Sequence, residues 1–329
     1  MQKSKRVSIS DEKEGLFSLG NMKYFFGEII LLPLKGMEKY AEKIQYYLNE
    51  IADDVDVSII NVDLLRFKTG DAKAVLNESV RGKDVYIVVD MGNYSETYNI
   101  HGYENHMSPD EHYMDLMRTI SAIGGKAARI NVISPLLYSA RQDRRIARES
   151  LDCAVALQDL YSVGVSNVMV FDVHDDRVQN AVPFMGFDKL MPVYQAIKAL
   201  CNVYPDVLVI DDIIASGDTI LDVAQQLSDL GAKRIFIIAT FGFFTKGTHR
   251  FDEAYNSGIL EAVFITNASY VSEEITSSPW YREIDVIKYI SYYIYCVNSG
   301  SSIAKLIDPH KKTHDYLRDR NAEWGDSVM

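Results

Sequence analysis

The stretch VLVIDDIIASGDTILDVAQQL, beginning at Val207, runs from hydrocarbon into two adjacent carboxylates, then a small-residue turn, then an amphipathic pattern. Asp211 and Asp212 stand where a strand over Val207 to Ile210 would end, and Ala215, Ser216, Gly217, Asp218 and Thr219 form the turn into a helix. A helix start aims unpaired N–H groups and a positive dipole end outward, and open parallel sheets bind ligands beyond the carboxyl ends of their strands. Small residues let the backbone close around a phosphate. Paired acids can accept hydrogen bonds from vicinal hydroxyls or face a hydrated Mg²⁺. The combination fits a sugar phosphate. The competing reading is an acidic strand end followed by an ordinary turn capped by Ser216 or Asp218. A GxxxxGK[ST] nucleotide loop is absent.

Three further segments carry chemistry-bearing residues. PLLYSARQDRRIARES, from Pro135, places Arg141, Arg144, Arg145 and Arg148 within eight positions after a strand-like run. Four guanidiniums can clamp a polyphosphate, and Gln142 and Asp143 add hydrogen-bonding capacity. The alternative is a solvated helix face paired with Glu149 and Asp152. VFDVHDDRVQNAVPF, from Val170, sets His174, Asp175 and Asp176 at a strand end, a plausible place for Mg²⁺ and phosphate, although a lone histidine is more often structural. In LRFKTGDAKAVLNESVRGKDVYIVV, from Leu65, Phe67 could stack on a base and ESVRGKD reads as a charged turn before a strand.

These segments need a scaffold, and the rest of the chain supplies one. The 329 residues are 47% hydrophobic and 24% charged, enough for two globular domains. A net charge of −12 excludes a general phosphate-backbone binder, so no nucleic-acid partner is expected and any anionic substrate must be held by local cations. Cys153, Cys201 and Cys296 form no CxxC pair, which argues against a disulfide framework or a zinc site and fits a reducing cytoplasm. The run IFIIATFGFF from Ile235 is about half of the roughly 20 residues a bilayer span requires, and no export signal is read at the start.

Strand-like runs alternate with amphipathic helices from about Tyr24 onward. EIILLPL, VSIINV and VYIVVD read as strands around a helix whose Met37, Tyr40, Ile44, Tyr47, Leu48 and Ile51 share a face. Ser108-Pro109-Asp110-Glu111 announces a helix with a capping box that stops at Gly124-Gly125. MGNYSETYNIHGYENHMSPD, from Met91, reads as a surface loop. The theme repeats in the second half, which predicts an α/β protein of two similar domains, each a mainly parallel sheet flanked by helices. The expected division is a polar tail at 1–23, a domain at 24–186 and a domain at 187–329, with the boundary lying between Pro183 and Pro192.

The Val207 stretch resembles the loop shared by type I phosphoribosyltransferases and ribose-phosphate diphosphokinases. ARQDRR, DVHDDRVQNAVPF and ESVRGKDV resemble the diphosphokinases more specifically, and that resemblance covers most of the chain from about residue 25. It implies two type I phosphoribosyltransferase-like domains and a diphosphate transfer from Mg-ATP to ribose 5-phosphate. Asp211 and Asp212 would bind the ribose 2- and 3-hydroxyls, and Ser216, Gly217 and Thr219 the 5-phosphate, with Ala215 and Asp218 completing the loop. Asp218 stands where some relatives carry glycine, so its side chain would have to point away. Arg141, Gln142 and Asp143 would contact ATP. His174 would position the phosphates of Mg-ATP and meet the metal, making His174 and Arg141 the catalytic pair. Phe67, Thr69 and Asp71 stand where a neighbouring subunit's adenine-binding loop is expected, with Thr69 in place of an acidic or amide residue and Asp71 in place of a glutamate. A homo-oligomer with the ATP site across subunits is implied.

One departure is large. Between Phe184 and Val207 the chain has 22 residues, where the family carries several dozen more, including a loop whose Lys and Arg stabilise the transition state. Lys246 in FFTKGTHR and Lys311-Lys312 in HKKTH are basic, but neither follows that pattern. A shortened, catalytically weak or regulatory homologue, an incomplete sequence of an active enzyme, and cations lent by another subunit all fit.

Overall fold

A computed structural model of the protein describes residues 26–52, 55–200 and 207–325. The expected tail at 1–23 and Cys201 lie outside them. The first unit runs β1 (Ile29–Pro33), α1 (Glu38–Ile51), β2 (Val57–Ile59), a hairpin β3 (Val62–Arg66) and β4 (Ala72–Leu76), then β5 (Asp84–Val88). A second hairpin follows, β6 (Thr97–Ile100) and β7 (Tyr103–His106), then α2 (Pro109–Ile123), β8 (Arg129–Ile133), α3 (Asp152–Ser162), β9 (Asn167–Phe171) and β10 (Gly186–Leu190). The second unit runs α4 (Val193–Leu200), β11 (Val207–Ile214), α5 (Asp218–Asp229), β12 (Ile235–Gly242), α6 (His249–Asn256) and β13 (Ala262–Thr266). It closes with α7 (Glu273–Thr276), β14 (Tyr281–Ile284), α8 (Ile287–Asn298), α9 (Ala304–Ile307) and α10 (His310–Gly325).

Each unit is built on a parallel sheet, in the strand orders β10-β9-β8-β5-β1-β2 and β11-β12-β13-β14. The continuous apolar runs follow from this, because strands of a parallel sheet are covered on both faces. Side chains alternate between the covers. Ile29, Leu31, Tyr86 and Val88 join one core with α1 and α8, while Ile30, Leu32, Val85 and Ile87 join another with α2 and α3. In the second sheet Phe236, Ile238 and Phe264 face α8, and Ile237, Val263 and Ile265 face α5 and α6. The capping box forms as the sequence predicts: the Ser108 N–H donates to Glu111 Oε2 at 2.8 Å, and Gly124 at φ +61° ends the helix.

Several elements differ from the expectation. The segment from Met91 carries the β6–β7 hairpin rather than only a loop. Strand β10 completes the first sheet by pairing with β9 from Gly186 to Leu190, so that sheet continues four residues past the expected division at 186/187 and ends within the Pro183–Pro192 window. Strand β11 runs through the acid pair to Ile214, because β12 is long enough to pair with it as far as Gly242. Helix α8 was not foreseen. IKYISYYIYCVN is buried almost all round, so it shows no polar stripe to mark a helix.

The end of α8 is tied to the first sheet by a buried carboxylate. Asp84, fully buried at the start of β5, accepts from Arg129 Nε (2.9 Å) and Nη2 (2.5 Å) and from Asn131 Nδ2 (2.9 Å). The Tyr86 hydroxyl (2.9 Å) and Asn298 Nδ2 (2.9 Å) also donate to it. Five donors meet the requirement that a buried charge be paired and hydrogen-bonded. Removing one partner of a buried ion pair strands the other charge, a loss of about 3–5 kcal/mol. Asp84→Ala is therefore expected to lower the urea-unfolding free energy by about that amount, with the two halves loosening together; a loss below about 1 kcal/mol would show that the cluster does not hold them.

Candidate active site

The paired acids sit in the last half of β11, and the turn after them is pinned from outside. The Phe243 N–H donates to the Ile214 carbonyl (2.8 Å) and the Thr245 N–H to the Ala215 carbonyl (2.8 Å). Gly217 then takes φ +85°, and a Cβ there would lie 2.3 Å from the Phe251 ring, so both the backbone and the packing require glycine. Phe251 is itself fixed against Trp280 and Phe244, with ring centroids 5.2 and 5.0 Å away. Helix α5 starts at Asp218, which leaves its first N–H groups facing out of the turn.

The Asp218 side chain meets two cations and a hydroxyl of its own turn. Its carboxylate is held by the Lys246 ammonium, by Arg250 Nη1 (2.6 Å) and by the Ser216 hydroxyl (3.0 Å). Arg250 Nη2 also donates to Asp222 (2.8 Å). The Lys246 and Arg250 contacts hold the Asp218 carboxyl well below the usual carboxylate range. Lys246 thus reaches the turn that carries Ser216 and Asp218, from the segment between β12 and α6. The four-residue spacing of Lys246 and Arg250 across a helix start is the only trace of this in the sequence.

The first unit brings a histidine to the same place. His174 Nδ1 lies 3.5 Å from Asp212 Oδ2, a contact longer than an ordinary hydrogen bond. Asp172, two residues earlier at φ +43°, accepts from the Thr240 hydroxyl at 2.6 Å and so ties the end of β9 to β12. Burial pushes the Asp172 carboxyl up, and burial with the neighbouring Asp212 carboxyl does the same to Asp211. Asp172 carries no signal of its own in the sequence, where it reads as part of the strand-like run VMVFDV. Asp175 and Asp176 are committed elsewhere. Asp175 is clasped by Arg177, which lowers its carboxyl, and Asp176 by Lys189 at 2.5 Å.

Arg141, Gln142, Asp143, Arg144, Arg145 and Arg148 lie in the irregular segment between β8 and α3. The helix begins only at Asp152, so the arginines do not form the alternative helix face. Glu149 accepts from the Ile146 N–H (3.2 Å) and Asp152 from the Ser150 hydroxyl (3.0 Å); among the described residues neither acid pairs with an arginine. Arg144 is close enough to Asp175 to help lower it, which puts the arginine segment beside the turn that carries His174.

Phe67, Thr69 and Asp71 form the tip of the β3–β4 hairpin and are not brought to this cluster within the chain. The Thr69 hydroxyl donates to Asp71 (3.1 Å), the Phe67 N–H to the Asp71 carbonyl (2.8 Å), and the Phe67 ring is 50% exposed. The hairpin rests on α2, with Arg66 Nη2 3.1 Å from Asp115.

Among the described residues no group of three or more His, Cys, Asp or Glu side chains could hold a metal unaided. The donors present, Asp211 and Asp212 with His174 beside them, instead fit a Mg²⁺ that keeps water and substrate phosphate in its shell, which is how this ion is ordinarily bound. The far edge of β11 has no partner strand among the described residues, and Ile210 on it is 71% exposed.

A family model described as the N-terminal domain of ribose phosphate pyrophosphokinase matches residues 37–164, and a phosphoribosyl synthetase-associated domain matches residues 196–308. A ribose-phosphate pyrophosphokinase of Mycoplasma pneumoniae is 24% identical over 301 residues, covering 74% of this chain and 87% of its own. That of Vibrio parahaemolyticus is 24% identical over 315 residues, covering 78% of this chain and 94% of its own. Both alignments span more positions than the residues they use from this chain, so the relatives carry residues inside the match that this chain lacks. The crystal structure of phosphoribosylpyrophosphate synthetase from Mycobacterium smegmatis shares the fold, with a TM-score of 0.66 at 19% identity over 82% of this chain and 98% of that one.

Neutralising Asp218 frees two cations at the loop. Asp218→Asn is expected to tighten calorimetric binding of a sugar phosphate several-fold at low salt and to steepen its salt dependence; unchanged affinity would mean that Lys246 and Arg250 do not face the ligand.

Proposed function

Because this chain belongs to the ribose-phosphate pyrophosphokinase family, we propose that it transfers the β,γ-diphosphoryl group of ATP to the 1-hydroxyl of ribose 5-phosphate, giving phosphoribosyl diphosphate and AMP for nucleotide biosynthesis. The observation that carries this reading is the 3.5 Å approach of His174 in the first unit to Asp212 in the second. It makes one cleft of two motifs that lie 38 positions apart in the sequence.

In that cleft Asp211 and Asp212 accept hydrogen bonds from the 2- and 3-hydroxyls of the ribose, and Ala215 to Thr219 close around its 5-phosphate. Arg141 and Gln142, with Asp143 beside them, meet ATP from the arginine segment, and His174 steadies its phosphates next to the acid pair. The bond from O1 to the β-phosphorus forms as the bridge from that phosphorus to the α-phosphate breaks. The hydroxyl proton is released, and AMP leaves. Such a transfer asks the protein mainly for alignment and for charge neutralisation. When bound with ATP, Mg²⁺ supplies further neutralisation of the phosphate oxygens.

The adenine half of the site comes from a second copy of the chain. Phe67 at the hairpin tip is half exposed, which leaves its ring available to a base held by a neighbouring copy. A cytoplasmic setting fits the two described cysteines, Cys153 and Cys296, which are unpaired and buried, with thiols pushed up to about 12. Among the described residues no helix is long and apolar enough to cross a membrane.

The bare edge of β11 and the short link before it favour a second reading, a homologue that binds nucleotide but turns over weakly or not at all. One experiment separates the two. Purified chain incubated with Mg²⁺, ATP and ribose 5-phosphate is expected to release AMP and phosphoribosyl diphosphate in equal amounts, with His174→Ala about 10²-fold slower. ATP binding without either product would establish the second reading.

The raised Asp211 carboxyl gives the acid limb of ligand binding a sign. Asp211 takes up a proton at a higher pH than an ordinary aspartate, and its protonation removes an acceptor that the sugar needs. Ribose 5-phosphate affinity is expected to fall with decreasing pH from above the usual aspartate range near 4. Asp211→Asn should weaken binding at neutral pH and flatten that limb, which calorimetry across pH reads directly.

A further inference from the structure

The β6–β7 hairpin contributes no residue to the proposed cleft, yet it packs on the hairpin that carries Phe67, Thr69 and Asp71. Tyr98 and Ile100 share one face of β6 and are partly buried, while Asn99 between them is exposed. The Arg66 guanidinium, at the end of β3, lies 4.5 Å over the Tyr98 ring centroid. Ile100 reaches the β3–β4 tip itself. Gly70 there takes φ +100°, and a Cβ on it would stand 3.0 Å from Ile100 Cδ1, so both the turn and its neighbour call for glycine.

This brace is anchored at both ends. Arg66 is held from its other side by the buried Asp115 of α2 (3.1 Å), whose second oxygen takes Arg118 Nη1 (2.6 Å). A guanidinium clasped between a carboxylate and an aromatic face has its plane fixed. The β6–β7 hairpin is rooted in the same helix, because His112 Nε2 donates to the Asn93 carbonyl at 2.7 Å. Lys35 Nζ also donates to the Thr97 carbonyl at 2.6 Å. An isolated two-stranded hairpin is marginally stable at best in water. The tip from Phe67 to Asp71, closed by the Gly70 N–H donating to the Phe67 carbonyl (2.9 Å), therefore depends on what packs against it.

We propose that β6–β7 is a positioning element for the base-binding loop, with Tyr98 and Ile100 holding the Phe67–Asp71 turn in the shape it presents to the ATP of a neighbouring copy. This rests on the reading of Phe67, Thr69 and Asp71 as base contacts. A loop already ordered pays less to bind, so loss of the brace weakens ATP. Ribose 5-phosphate is spared, because its proposed ligands lie in the second unit.

The test is calorimetry on the full chain with a non-hydrolysable ATP analogue and, separately, ribose 5-phosphate, using the unaltered protein, Phe67→Ala, Tyr98→Ala and Tyr98→Phe. Tyr98→Ala is expected to weaken the analogue roughly fivefold and to leave ribose 5-phosphate unchanged, while Tyr98→Phe, which keeps a ring under Arg66, matches the unaltered protein. Tyr98→Ala combined with Phe67→Ala should lose no more than Phe67→Ala alone, since the brace acts only through that loop. Hydrogen exchange of the Phe67 and Gly70 amides should quicken in Tyr98→Ala and not in Tyr98→Phe. Unchanged unfolding temperature and sedimentation establish that a variant is folded and assembled; should Tyr98→Ala fail either, Ile100→Val, which removes the methyl nearest Gly70, takes its place. Unchanged exchange or unchanged analogue affinity in Tyr98→Ala, or an equal loss for both ligands, would overturn the brace. Quickened exchange with Phe67→Ala still binding the analogue normally would instead overturn the base-contact reading, and with it the use assigned to the brace.

Discussion

Helix α8 is the part on which both halves of the molecule depend. Its side chains fill a core shared by one face of the first sheet and one face of the second, so neither sheet is covered without it. Each large apolar side chain buried there contributes about 1.5–3 kcal/mol, and Ile290, Tyr293, Ile294 and Tyr295 are almost wholly buried. Polar ties fix its direction as well as its depth. Asn298 reaches the Asp84 cluster at one end, and the Tyr293 hydroxyl donates to Asp188 on β10 at 2.8 Å. A core of apolar contacts alone could tolerate some sliding, whereas a buried carboxylate with five donors cannot shift without leaving groups unpaired.

Closer to the cleft, a second set of contacts transmits that fixed geometry. Asp90, buried just past β5, accepts from the Ser269 hydroxyl (2.8 Å) and the Tyr270 N–H (2.7 Å) of the second unit. Gly92 lies so close to the same unit that a Cβ would meet the Phe243 ring at 2.6 Å and Ser269 Oγ at 2.7 Å. With the Asp172–Thr240 bond, these contacts set the ends of β9 and β11 side by side. The cleft they form has two electrostatic sides. Asp211 and Asp212 stand on one side and Lys246 and Arg250 on the other, and under the proposed reaction these few, fixed cations are what would let an acidic protein hold an anionic substrate.

Much of this was legible in the sequence, and the reasons differ from element to element. The inner strands of both sheets announce themselves as apolar runs because they are buried on two faces, and α2 announces itself through Ser108, Pro109 and Glu111, whereas β14, YREI, with its two middle residues exposed, does not. The turn from Ala215 to Thr219 is readable because the positive φ of Gly217 is a local need, and local needs leave local signatures. Strand β10, GFDKL, and the hairpins mix polar and apolar residues at sheet edges, so no strong period marks them. The role of Lys246 was hidden for a different reason. It depends on where the turn after β12 falls relative to α5, a tertiary fact that no spacing within FFTKGTHR encodes. The same holds for Asp172, whose meaning comes from Thr240 across the domain boundary.

The account rests on His174 and Asp212 acting as one site although they belong to different sheets. A double-mutant cycle tests that most directly. The affinity for ribose 5-phosphate, in the presence of a non-hydrolysable ATP analogue, is measured for the unaltered chain, His174→Ala, Asp212→Asn and the pair. Coupled groups in contact show interaction energies of about 0.5–3 kcal/mol, and a value in that range is predicted. Losses that simply add, to within about 0.3 kcal/mol, would mean that the two residues serve separate places and that the cleft is not a single site.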